Sequence, residues 1–200
     1  MKKALEAYWG DKISAEELLK VAKEQRLNTY ATIKEQGVDF VPTGTFSLYD
    51  HVLDMSNTLG IIPEAYATSG LSQLDTYFAM ARGHQKGGVD LPATEMKKWF
   101  DSNYHYLVPE FSEKSEFKLN DNKPVDDFIE AKEAGYNARP VILGPLTLLW
   151  LGKTSKDAQD PNFNRYSLLP KLAQTYVQLF EKLAAAGAPW VQLDEPILVV

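Results

Sequence analysis

Arg139-Pro140-Val141-Ile142-Leu143-Gly144-Pro145-Leu146-Thr147 is the stretch that decides the fold. A short aliphatic run that stops at Gly-Pro reads as a buried strand breaking into a loop. The same device occurs twice more. Val38–Val41 leads into Pro42-Thr43-Gly44-Thr45-Phe46, and Trp190–Leu193 ends in Asp194-Glu195-Pro196. Helical material separates the copies, and repeated strand–loop–helix units imply an α/β fold whose strands lie parallel. In such folds ligands sit at the loops after the strand C-termini.

The intervening segments carry helix signals. Lys2–Trp9 is helical by spacing, and Gly10 ends it. Ser14 with Glu17 three residues later is a capping-box start for a helix running to Gly37. Val52–Leu59, Leu71–Arg82 and Pro124–Gly135 follow, and Tyr166–Gly187 is expected to be the longest helix. Ala65–Gly70 and Gly83–Gly88 read as loops, with His84 solvated. Phe117 and Leu119 mark a brief strand. Asp194 and Glu195 are adjacent, so on a strand they face opposite sides and are no general acid/base pair. Asp50 and His51 lie just after a strand, where site residues gather; a helix cap and a packing histidine explain them equally well.

Glu95-Met-Lys-Lys-Trp-Phe-Asp-Ser-Asn-Tyr-His-Tyr-Leu-Val-Pro-Glu110 crowds Trp99, Phe100, Tyr104, His105 and Tyr106 beside lysines and acids. Buried Trp and Tyr keep a polar tip that needs a partner, so this reads as a polar-lined wall. Glu95–Phe100 suggests a short turn of helix and Tyr104–Val108 a strand. Lys98 is placed to meet an anionic ligand. His105 has no second His, Cys or close carboxylate beside it, and reads as a hydrogen-bonded histidine rather than a metal ligand.

Bulk properties narrow the classes further. A chain of 200 residues can bury a real core. With 21 basic against 27 acidic side chains the net charge is −6, which argues against nucleic acid as a partner. There is no cysteine, hence no disulfide and no thiolate nucleophile or ligand. Neither a signal peptide nor a bilayer-length apolar span occurs, so the expectation is a cytoplasmic protein with no membrane contact.

Beyond the Glu95–Glu110 stretch, Val141-Ile-Leu-Gly-Pro-Leu-Thr-Leu-Leu-Trp-Leu-Gly152, Trp190-Val-Gln-Leu-Asp-Glu-Pro-Ile-Leu-Val199, Lys2-Lys-Ala-Leu-Glu-Ala-Tyr-Trp9 and Gly37–Leu53 fall in one order along the chain. Together they closely resemble the N-terminal domain of the cobalamin-independent methionine synthase family. The resemblance implies methyl transfer from 5-methyltetrahydropteroyltri-L-glutamate to homocysteine, giving methionine without cobalamin. It implies two (βα)8 barrels: a C-terminal catalytic barrel that holds zinc and homocysteine, and an N-terminal barrel that helps hold the folate polyglutamate tail. The family's tail-contacting lysine before Trp-Phe falls on Lys98. Its Arg-Glu-Leu-Lys segment survives only as Lys2. No catalytic or metal-binding residue carries over. A full barrel takes about 250 residues, so residues 1–200 are expected to form an incomplete TIM-type barrel lacking the first strand and the last units, inactive alone and completed by the C-terminal barrel. A non-catalytic polyglutamate-binding or scaffold module is the alternative, and a uroporphyrinogen decarboxylase-like barrel a weaker one that the Trp99–Tyr106 motif disfavours.

Overall fold

The computed structural model describes residues 1–200. Its first element, α1 (Lys2–Trp9), packs on α2 (Ala15–Glu35). Ser14 caps α2 through the expected reciprocal box, accepting from Glu17 N while the Glu17 carboxylate accepts from Ser14 N. Strand β1 (Val41–Thr43) leads through a polar loop to α3 (His51–Thr58), α4 (Glu64–Ala67) and α5 (Gln73–Arg82). Two hairpins follow, β2 (His84–Lys86) with β3 (Val89–Leu91), and β4 (Met96–Lys98) with β5 (His105–Leu107). The second half contains β6 (Glu110–Phe111), α6 (Lys123–Glu133), β7 (Ala138–Leu143), α7 (Pro145–Leu151), β8 (Lys153–Thr154), α8 (Leu169–Ala185) and β9 (Gln192–Asp194).

The three strands ending in the polar device form one parallel sheet in the order β1-β7-β9. Thr43 pairs with Pro140 and Leu143 with Asp194. Each crossover runs through helices, as parallel pairing requires. The sheet, α3, α6, α7 and α8 share one core in which Val41, Ile142, Leu148, Leu172 and Leu179 are buried. Tyr176 of α8 is anchored there by donating to the Leu143 carbonyl at 2.7 Å. A second core lies under α1, α2 and α5, with Leu18, Tyr77 and Phe78 inside it and Leu107 of β5 completing it.

Several local expectations are corrected. Glu95–Phe100 is not helical: Met96–Lys98 pairs antiparallel with His105–Leu107, because the neighbouring aromatic segment offers a complete strand partner. Gly83–Gly88 is not a loop but holds the first strand and the turn of the hairpin His84–Leu91. Gly87 and Gly88 both take positive φ, which suits a two-residue turn between twisted strands. The first strand starts at Val41, and Val38 and Phe40 stay exposed before it. Glu64–Ala67 adds a helical turn. Phe117 and Leu119 lie in no strand, although Lys118 N and Asn120 N donate to the Leu59 and Thr58 carbonyls. The longest helix is α2, with 21 residues against 17 in α8. No helix is long and apolar enough to cross a membrane.

Candidate functional site

The C-terminal ends of β1, β7 and β9 open onto a cleft of about 920 Å³. Gly44 and Thr45 follow β1 into it, Asp194 at the end of β9 and Glu195 just after it close it, and Trp99 and Tyr104 of the second hairpin form its aromatic wall. Gly44 has φ +80°, and a Cβ there would stand 2.7 Å from the Val141 carbonyl oxygen. Only glycine lets this loop turn against the central strand.

Two carboxylates organise the rim, and both serve backbone. Asp50 is 1% exposed and caps α3, accepting from Leu53 N at 2.9 Å and Val52 N at 3.3 Å. It also accepts from Leu107 N of β5 at 3.0 Å and from the Tyr104 hydroxyl at 3.3 Å. One side chain thereby ties the start of α3 to the second hairpin. Burial pushes its pKa up, and the Leu107 and Leu53 amides pull the other way. Burial and the neighbouring Asp50 raise the Tyr104 hydroxyl to about 12, so it stays a donor. His51 lies 3.6 Å from Asp50 and meets the Trp99 ring edge-on at 4.5 Å, so both expectations for Asp50 and His51, cap and packing residue, describe their contacts.

Glu195 plays the same part at α7. It accepts from Leu146 N at 2.9 Å, Thr147 N at 2.7 Å and the Thr147 hydroxyl at 2.5 Å. These are orphan donors of the helix start. Gly144 makes room for it, since a Cβ there would fall 2.1 Å from Glu195 Cδ. Asp194 instead accepts from its neighbour Gln192 at 2.8 Å. The adjacent acids therefore do separate jobs, as their alternation on a strand requires.

Below the cleft lies a network that sequence reading missed. Lys123 donates to Asp127 at 2.7 Å and to the Phe46 carbonyl at 2.8 Å, and stands 3.6 Å from Asp54. Arg26 makes a two-bond fork with Glu130 at 2.7 and 2.8 Å. Tyr77 donates to Asp54 at 2.7 Å, and burial with that carboxylate holds its hydroxyl well above the ordinary tyrosine value. Lys123 and Asp127 stand four apart on α6, a legible pairing signal; the partners on α2 and α3 come from tertiary structure.

Lys98 sits on the second hairpin next to the aromatic wall, with its side chain exposed. Neighbouring lysines are committed. Lys97 lies 3.5 Å from Glu95, and Lys153 reaches Glu95 at 2.7 Å and Glu110 at 3.0 Å. The Lys153 bond holds the Glu95 carboxyl below its ordinary value. Lys98 has no carboxylate within ion-pair distance. Lys2 lies on α1, 87% exposed and 3.8 Å from Glu6. Met1, Ala4 and Leu5 pack against the core that also holds Leu107, which is the link between Lys2's helix and Lys98's hairpin. His105 is exposed, with Nδ1 3.0 Å from the Asn103 carbonyl. No group of three or more His, Cys, Asp or Glu side chains is placed to hold a metal ion, so these residues do not fit a zinc site.

Residues 1–200 match the family model described as the cobalamin-independent synthase, N-terminal domain. A protein of Schizosaccharomyces pombe named as a probable 5-methyltetrahydropteroyltriglutamate–homocysteine methyltransferase is 52% identical over the whole chain. The proteins of Saccharomyces cerevisiae and Flavobacterium johnsoniae that carry the same enzyme name are 50% and 46% identical, again over the whole chain. The chain spans 27% of the two yeast proteins and 26% of the bacterial one.

Proposed function

Because the chain belongs to the family of the cobalamin-independent synthase N-terminal domain, we propose that it supplies part of the folate-binding region of a methionine-forming methyltransferase. The reaction is methyl transfer from 5-methyltetrahydropteroyltri-L-glutamate to L-homocysteine, the two substrates in the relatives' enzyme name. In this reading residues 1–200 are a partial (βα)8 barrel. The parallel order β1-β7-β9, with helical crossovers and a cleft at the strand C-termini, supports that architecture. The chain carries no catalytic residue. Zinc and homocysteine belong to a second, catalytic barrel with which this one works.

The role of this chain is to hold the polyglutamate tail through Lys98, with Lys2 as a second contact. One observation carries this: Lys98 is the cation on the β4–β5 hairpin that has no internal acid, while Lys97 beside it and Lys153 nearby are paired. An exposed lysine without a partner pays no internal ion pair to meet an external carboxylate. Calorimetric titration of 5-methyltetrahydropteroyltriglutamate and its monoglutamate tests the assignment. Lys98→Ala should weaken the triglutamate about fivefold at low salt, less at higher salt, and leave the monoglutamate nearly unchanged. Equal loss for both ligands would remove Lys98 from tail binding.

A further inference from the structure

Strand register places a second group beside Lys98. Its Cα partner across the hairpin is His105. Trp99 N donates to the Tyr104 carbonyl at 2.7 Å, and Val108 N to the Glu95 carbonyl at 2.8 Å. Hydrogen-bonded pairs alternate with open ones along an antiparallel ladder. By that alternation Lys98 and His105 form an open pair, the kind in which opposed side chains come closest and share one face. Both are exposed. The Asn103 carbonyl can only accept, so the bond from His105 fixes the proton on Nδ1 and leaves Nε2 free.

The turn joining them is held in a costly shape. Phe100 has φ +49°, a left-handed conformation that a bulky residue rarely adopts. Its ring stacks on Trp150 at 5.2 Å, and the Ser102 hydroxyl donates to the Trp99 carbonyl at 2.6 Å. From below, Asp50 holds Leu107 N and the Tyr104 hydroxyl. Strained backbone held from several sides is typical of ligand clamps.

We propose that Lys98 and His105 form a two-point clamp for one carboxylate of the glutamate tail, with His105 a binding residue in its imidazolium form. The inference rests on the tail-binding reading of Lys98. With Nδ1–H committed to Asn103, neutral His105 offers only a lone pair, which repels a carboxylate. Protonation at Nε2 turns it into a second donor beside the Lys98 ammonium. The charged and titratable groups of the surrounding segments are Lys98 opposite, Lys97 on β4 and Glu95 just before it, Asp101 in the turn, Tyr104 next in the chain, and Asp50 and His51 at the start of α3. Lys97 is turned to Glu95, while Asp50 and His51 are engaged with Tyr104 and Trp99. Binding of the tail is therefore linked to proton uptake at His105.

The test compares tri- and monoglutamate affinity at about pH 6 and about pH 8 for the wild-type chain, His105→Gln and Lys98→Ala. The wild type should favour triglutamate about threefold to fivefold more at the lower pH, and His105→Gln should abolish that pH dependence with an unchanged melting curve. A low-pH gain that persists in His105→Gln overturns the clamp while leaving Lys98 in place. Tail selectivity untouched by Lys98→Ala overturns the reading beneath it, and the clamp with it.

Discussion

Lys123 spends its donors on Asp127, on the Phe46 carbonyl and on the long contact to Asp54, with 22% of its side chain exposed. Lys98, on the second hairpin, is in no ion pair. Lys123 lines the cleft and Lys98 precedes Trp99 of its aromatic wall, yet their physical situations are opposed. A cation sunk among carboxylates cannot leave them without stranding buried charge, so its energy is structural. A cation that folding leaves unpaired contributes little to stability and is available to something outside the chain.

Substituting Lys123 gives the largest effect. Lys123→Met leaves Asp54 without a cation and Asp127 with only Arg26, 3.5 Å away, and breaking such a pair costs about 3 kcal/mol or more. Burial lowers the Lys123 pKa, but the pull of Asp54 and Asp127 outweighs it, and the net direction is up. A raised lysine stabilises fully below its unfolded value, about 10.4, and the contribution disappears as pH rises through the folded value. Urea denaturation of the wild type and Lys123→Met should thus converge above about pH 10.4 and differ most at neutral pH. A constant gap across that range would show that Lys123 acts through packing alone.

A middling effect is expected at Gly144, where the rim carboxylate Glu195 is structural in the way Lys123 is. Gly144→Ala drives a methyl to 2.1 Å from Glu195 Cδ, so the carboxylate must leave Leu146 N and Thr147 N. Overpacking of this kind costs about 1–3 kcal/mol. A denaturation midpoint equal to that of the wild type would mean that Glu195 swings clear freely and that its bonds to α7 contribute nothing.

These regions also differ in how far they could be read in advance. Strand-to-loop devices at Thr43, Gly144 and Asp194 announced the parallel sheet, because a buried aliphatic run closed by Gly or Pro is a local signal. Asp50 as a helix cap and Ser14 as a capping box were legible for the same reason. Of the second hairpin only the strand expected at Tyr104–Val108 was, observed as His105–Leu107. Met96–Lys98 carries no strand pattern of its own and is exposed throughout, so it becomes a strand only because His105–Leu107 pairs with it. The Asp50 bond to Leu107 spans 57 residues and that of Arg26 to Glu130 spans 104, and no spacing rule reaches so far. Resemblance to a known family pointed to Lys98; its lack of a partner became visible only in three dimensions.

The smallest stability effect belongs to Lys98 itself, and its neighbour makes the contrast sharpest. Lys97 and Lys98 are adjacent on β4, so their side chains leave opposite faces of the hairpin. Lys97 is turned toward Glu95, while Lys98 stands across from His105. Replacing either exposed lysine by Ala should shift unfolding free energy by no more than about 0.5 kcal/mol. Stability cannot separate them, but ligand selectivity should. If an unpaired cation is the binding one, Lys98→Ala lowers the ratio of triglutamate to monoglutamate affinity and Lys97→Ala leaves it at the wild-type value. Should the two variants lose selectivity equally, the hairpin would act as a diffuse positive surface, and the absence of an acid beside Lys98 would no longer mark a site.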